Sequence, residues 1–111
     1  MIEQTIYDYL LGRMTVPVYC EIPPEKPGTY VALEKTSGGM ENRIPSATIA
    51  VQSHAPSLFE AAQLNEDVKT AMLEAVELDD VASVRLNSDY NYTDGTLRQY
   101  RYQAVFDVTH Y

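Results

Sequence analysis

The sequence predicts an α+β domain in which one mainly antiparallel sheet is flanked by helices, in the order α-β-β-β-α-β-β. Three observations carry that prediction. Residues 57–78 repeat their apolar positions at about 100° per residue, with Ala61, Leu64, Val68, Ala71, Met72, Ala75 and Val76 on one arc and Glu60, Gln63, Glu66, Asp67, Thr70, Glu74 and Glu77 opposite. The segments on either side alternate with period two, as half-buried strands do. A chain of 111 residues forms one domain, large enough for a real core and too small for two.

Taken in order, residues 2–11 read as a short helix ended by Gly12, with Ile2, Ile6, Tyr9 and Leu10 on its core face. Tyr7, Leu11 and Met14 widen its apolar arc beyond what one sheet contact requires, which suggests a second contact, such as a neighbouring subunit. Val16, Val18, Cys20 and Ile22 alternate with Pro17, Tyr19 and Glu21 in a first strand, placed at an edge or a strand start by Pro17. Residues 23–28, PPEKPG, are a rigid turn, and Thr29 to Lys35 form a second strand, antiparallel to the first.

Thr36 to Pro45 hold Gly38, Gly39, Met40, Glu41, Asn42 and Arg43 with little apolar anchoring, the longest loop expected and the most mobile segment. Ser46 to His54 are a third strand with Ala47, Ile49 and Val51 on one face. The long helix follows, opened by Ser57 and Glu60 at capping-box spacing. Val81 to Asn91 form a fourth strand, Asp94-Gly95 signals a hairpin, and Leu97 to Tyr111 form the last strand. In it Tyr100, Tyr102, Ala104, Phe106 and Val108 face one way, and Gln99, Arg101, Gln103, Asp107 and Thr109 the other.

Composition narrows function by exclusion. Eight Lys plus Arg against sixteen Asp plus Glu give a formal charge of −8, so sequence-independent nucleic-acid binding and an anionic membrane surface are both disfavoured. No apolar run approaches the roughly 18 residues that span a bilayer, and acids stand where a signal peptide carries its basic region. A cytosolic protein is the expectation. The single cysteine, Cys20, excludes an internal disulfide and, in phase with Val16, Val18 and Ile22, reads as a small buried hydrophobe.

Catalytic constellations fail one by one. No Lys-Ser/Thr follows Gly38-Gly39, so a phosphate-cradling loop is disfavoured. Asp107 and His110 point to opposite faces of a strand and, with His54 elsewhere, make a poor metal site. Asp79-Asp80 read as a solvated helix end, and no Ser-His-Asp order or G-x-S-x-G elbow exists. The expectation is a non-enzyme without cofactor or metal.

Interaction signals remain. Phe59 and Leu73 sit near the polar arc of the long helix, and Tyr90, Tyr92, Tyr100 and Tyr102 crowd the Asp94-Gly95 hairpin. The plainer alternative is that Phe59 folds over the adjoining turn and the tyrosines face the core. Nine Tyr without Trp suit half-buried sheets as well as subunit contacts.

Certain stretches together resemble the tail terminator, or tail-to-head joining, proteins of long-tailed phages and prophages. These are IEQTIYDYLLGRM at the start, YVALEKTSGG with ENRIPSATIAVQSHA, SLFEAAQLNEDVKTAMLEAV, and the closing VASVRLNSDYNYTDGTLRQYRYQAVFDVTHY. The likeness is one of pattern and length over essentially the whole chain, without a short fingerprint. It implies a non-enzymatic virion assembly protein that forms a homo-oligomeric, hexameric ring. Such a ring caps the tail tube and meets the tail tube protein and head-completion proteins, first in the host cytoplasm and then at the virion neck. It also implies that loops such as Thr36 to Pro45 contribute to ring and tube contacts. An acidic face would repel DNA, which suits a conduit DNA must traverse without sticking. The alternatives are another neck component, such as a head-closure or connector subunit, and a small ligand-binding regulatory α+β module.

Overall fold

A computed structural model of the chain describes residues 1–41, 43–96 and 99–111. Among them the elements are α1 (Ile2–Arg13), β1 (Val18–Tyr19), β2 (Tyr30–Glu41), β3 (Ile44–Ala55), α2 (Leu58–Glu74) with a 3-10 turn at Ala75–Glu77, β4 (Val81–Asn91) and β5 (Tyr100–His110). The strands make one mixed, mainly antiparallel sheet in the order β1-β2-β3-β5-β4. The α+β class and the element order are those the sequence predicts.

Both helices lie on the same face of the sheet. Strand alternation turns Val31 and Leu33 of β2, Ala47, Ile49 and Val51 of β3, and Ala104, Phe106 and Val108 of β5 toward them. From the helices come Ile2, Ile6 and Leu10 of α1 and Leu64, Val68, Ala71 and Met72 of α2, all in the same buried cluster. Burying one such side chain is worth about 1.5–3 kcal/mol, so this single apolar layer dominates the stability of the domain. The opposite sheet face has no helix over it and carries Glu34, Thr48, Gln52, Arg101, Gln103 and Asp107.

Helix α2 starts where the sequence places it. Ser57 is extended at the N-cap and its hydroxyl oxygen accepts from the Glu60 backbone N–H at 3.3 Å. The Ser57 hydroxyl also donates to the Glu60 carboxylate at 2.8 Å, so the reciprocal half of the capping box takes this form instead of a bond to the Ser57 N–H. Beyond Glu74 the helix tightens into its 3-10 turn, whose three-residue period breaks the phase of the apolar arc. Ala75 stays buried and Val76, expected in the core, is exposed.

Four further expectations need correction. Helix α1 runs through Gly12 to Arg13 and is capped by Met14 in an extended conformation, because Arg13 is anchored. Its guanidinium reaches Glu74 at 2.6 Å and the Tyr9 hydroxyl at 2.5 Å, while that hydroxyl donates to the Ala71 carbonyl at 2.7 Å. The first strand shrinks to Val18–Tyr19 and pairs with β2 in parallel, since the proline-rich residues 20–29 return along the sheet instead of turning tightly. Cys20 lies past the strand, where alternation no longer applies, and is exposed. Partial desolvation of the thiol, followed by the carboxylates of Glu3, Glu21 and Asp8, raises its pKa, which makes it a poor nucleophile.

The fourth correction concerns Thr36 to Pro45, which is not a loop. β2 continues through Gly38, Gly39 and Met40 to Glu41, β3 returns from Ile44, and only residues 42 and 43 connect them. A bulge between Lys35 and Ser37 shifts the register, and the two glycines pair with Ala47 and Ser46. A Cβ on Gly38 would stand 2.9 Å from the Lys35 side chain, so the missing side chain leaves that stem its path. Asn42 lies outside the described residues.

The anchor between the two helices gives a measurable expectation. Tyr9→Phe removes the bond to the Ala71 carbonyl and one Arg13 partner, and should lower unfolding stability by about 1 kcal/mol in a urea titration with unchanged m-value.

Candidate interaction surfaces

Three surfaces gather the polar and aromatic side chains that the core leaves out. The first is the open face of the sheet. There His54 Nε2 lies 3.1 Å from Gln52 Oε1, Gln52 Nε2 donates to Gln103 Oε1 at 3.0 Å, and Gln103 Nε2 donates to the Tyr90 hydroxyl at 2.5 Å. The register makes this possible, since Gln52 stands opposite Gln103 and Gln103 opposite Tyr90. The result is a hydrogen-bonded rung across β3, β5 and β4.

At one end of this rung the His54 ring stacks on Tyr30, with centroids 4.3 Å apart, and Tyr30 meets Tyr19 edge to face. Burial, then Arg101 and Lys26, lower the His54 pKa from 6.5 to about 4, so the imidazole is neutral at physiological pH. A recess of about 230 Å³ opens here, lined by Lys26, Tyr30, His54, Gln99 and Tyr100 among others. At the other end Tyr90 and Tyr92 meet edge to face, and the Arg101 guanidinium lies over the Tyr92 ring at 4.4 Å while its Nε donates to the Tyr92 carbonyl.

The second surface is a shallow groove of about 400 Å³ between α2 and the β4–β5 pair. Phe59, 87% exposed on the first turn of α2, forms one lip, and the half-buried Tyr102 lies across from it. Asn65 lines the groove while only 1% exposed, and its Oδ1 has no hydrogen-bond partner among the described residues. Lys69 ties Glu66 of the helix at 2.8 Å to Asp89 of β4 at 3.1 Å. Two carboxylates thus share one ammonium, and the rim keeps a net negative charge.

The third surface is the tip of the β2–β3 hairpin. Met40 is 68% exposed, Ile44 is exposed beside it, and Arg43 adopts φ 68°, a left-handed conformation unusual for a residue with a Cβ.

The residues singled out in the sequence divide among these places. Phe59 and Tyr102 come together in the groove, Tyr90 and Tyr92 on the open face, and Tyr100 at the His54 recess. The four tyrosines therefore serve three sites instead of one hairpin cluster. Tyr7 is half-buried against the core, as is Met14, so much of the breadth of α1 is spent within the molecule and Leu11 is left exposed. Leu73 is exposed on α2 and does not line the Phe59 groove. Sequence reasoning missed Asn65, a polar residue facing the buried side of α2, and the Gln52–Gln103 pair. Asn65 was visible in principle as a polar residue in the apolar phase of Ala61, Leu64 and Val68, whereas the Gln52–Gln103 pair follows from the strand register.

Among the described residues no group of three His, Cys, Asp or Glu side chains could hold a metal ion. No helix among them is long and apolar enough to cross a membrane. Comparison with protein-family models and with curated proteins finds no match to this chain.

Two outcomes are expected from these geometries. Between pH 6.5 and about 4 the unfolded chain binds a proton at His54 that the folded chain refuses, so stability falls as pH falls through that window. Relative to His54→Phe, which keeps the stacking on Tyr30, the wild type should lose roughly 2–3 kcal/mol between pH 7 and pH 4 in paired denaturant titrations. Arg43→Gly relieves the left-handed strain and should raise unfolding stability by about 1 kcal/mol in the same assay.

Proposed function

We propose that this chain is a non-enzymatic virion assembly protein, a subunit of a homo-oligomeric ring that caps a phage tail tube and joins it to the head. The carrying observation is the placement of its exposed apolar side chains. Met40 and Ile44 stand at the hairpin tip and Phe59 stands at the groove on α2, so one subunit offers two different surfaces. A cyclic ring needs such a heterologous pair. The similarity in pattern and length to tail terminator proteins supplies the remaining terms. These are the hexameric count, the tail tube protein and head-completion proteins as partners, and the passage from host cytoplasm to virion neck.

The acidic outer arc of α2 suits this role. Its exposed carboxylates, among them Glu60, Glu66 and Glu74, with Glu77 in the 3-10 turn beyond, repel the phosphate backbone and would keep passing DNA from adhering. A second reading, a small ligand-binding regulatory module, draws on the His54 recess, where aromatic walls converge with Lys26 and a neutral imidazole. A ligand seated there would raise the melting temperature of the isolated chain, with the gain lost in His54→Phe.

Disruption of the gene in its parent phage or prophage, scored by electron microscopy, tests the ring reading. Tails of uncontrolled length beside tailless heads are the expected result. Tails of normal length left unattached would move the protein to the head side of the neck, as a head-closure or connector subunit. Unaltered infectious particles would overturn both virion readings.

A further inference from the structure

We propose that the recess at His54 binds a single-ring aromatic acid that also carries a hydrogen-bond donor, a molecule of hydroxybenzoate type. The inference rests on the second reading above, in which the chain takes a small ligand, and names the chemistry of that ligand.

The fold buries two polar side chains here without satisfying them. Tyr30 and His54 stand opposite each other on β2 and β3 and are only 4% and 6% exposed. Both line the recess, and among the described residues neither the Tyr30 hydroxyl nor His54 Nδ1 makes a hydrogen bond. The rung sets the tautomer. Gln103 Nε2 donates to the Tyr90 hydroxyl, its Oε1 accepts from Gln52 Nε2, and Gln52 Oε1 is left to accept from His54 Nε2. With the amides so oriented the imidazole proton sits on Nε2, and Nδ1 is a bare acceptor that calls for a donor.

Charge selects an anion. The chain carries a formal charge of −8, yet no described residue lining the recess is acidic. Lys26 lines it, and among the described residues that ammonium has no carboxylate partner. Arg101 stands opposite His54 on β5, with its guanidinium over the Tyr92 ring and likewise without an ion pair among the described residues. The charges that act on the imidazole are these two cations, and both oppose its protonation. A locally positive recess on an acidic protein concentrates small anions.

Size selects one ring. The recess of about 230 Å³ exceeds the about 150 Å³ that holds benzene and falls short of the about 300–1,000 Å³ of sites for drug-sized ligands. That is room for one aromatic ring with a small acidic group. Pro27, Ala55 and Tyr100 give the ring apolar and aromatic surface, Lys26 meets the carboxylate, and His54 Nδ1 accepts from a phenol or amine on the ring.

The test is titration calorimetry on the full chain with three compounds: para-hydroxybenzoate, benzoate and the neutral para-hydroxybenzamide. Para-hydroxybenzoate should bind about fivefold more tightly than either of the others, the difference that one net polar contact makes. Lys26→Gln should erase its advantage over the amide and leave the affinity for the amide unchanged. His54→Phe, which removes Nδ1 and keeps the stacking on Tyr30, should bind para-hydroxybenzoate no better than benzoate. Equal affinity for para-hydroxybenzoate and either comparison compound, unmoved by the matching variant, overturns the inference while the recess still takes a ligand. Binding of none of the three at millimolar concentration also overturns it, and a thermal-shift screen of other small molecules then decides the ligand reading separately.

Discussion

The structure depends on one asymmetry: both helices cover the same face of a five-stranded sheet. The apolar set of Val31, Leu33, Ile49, Val51, Phe106 and Val108 needs cover from water, and α1 with α2 supplies it from one side. Everything else follows from where that cover ends. Helix α2 crosses β3, β5 and part of β4, while α1 reaches the β1–β2 edge. The hairpin tip is exposed at Met40 and Ile44, while Tyr102 is half-buried in the groove beside α2. The uncovered face must then be made compatible with water, and the Gln52–Gln103–Tyr90 rung does so without adding apolar surface.

Legibility in the sequence tracks how much each segment is governed by this burial. α2, β3, β4 and β5 owe their positions to apolar periodicity, and they were readable to within a few residues; β4 matches its expected bounds, Val81 to Asn91. The misread segments are those where periodicity is absent or shared. Gly38-Gly39 has poor strand propensity, yet cross-strand pairing with Ala47 and Ser46 overrides it. Cys20 continued an alternation that Pro17 and the prolines beyond it cut short. Gly12 looked like a helix end because nothing local reveals that Arg13, one residue later, reaches Glu74.

The candidate site was legible as a set of residue types and illegible as a place. Phe59 at a polar helical position and the run of tyrosines announce surface contacts, but period-two alternation alone puts Tyr90 in phase with Val84 and Tyr102 in phase with Phe106, and the register shift between Leu86 and Ser88 turns Tyr90 to the open face. Only the pairing of β4 with β5, and the laying of α2 across them, brings Tyr102 to Phe59 and Asp89 to Lys69. Asn65 shows the same limit. Its phase on α2 directs it inward, and whether an inward amide finds a partner is a tertiary fact.

The free edges of the sheet bear on how copies would meet. A sheet protein can assemble by pairing edge strands or by docking side chains, and an unprotected edge favours the first. Here β4 is bulged twice, between Val81 and Ser83 and between Leu86 and Ser88, and it presents Arg85 and Asn87 with exposed side chains. The opposite edge, β2 beyond its short pairing with β1, is bulged between Lys35 and Ser37. Bulges increase local twist and break the regular row of N–H and C=O groups that a partner strand needs. With both edges irregular, strand-to-strand pairing between copies is disfavoured. Side-chain contacts can be weak singly and still hold a closed ring, because every subunit in the ring is held on both sides.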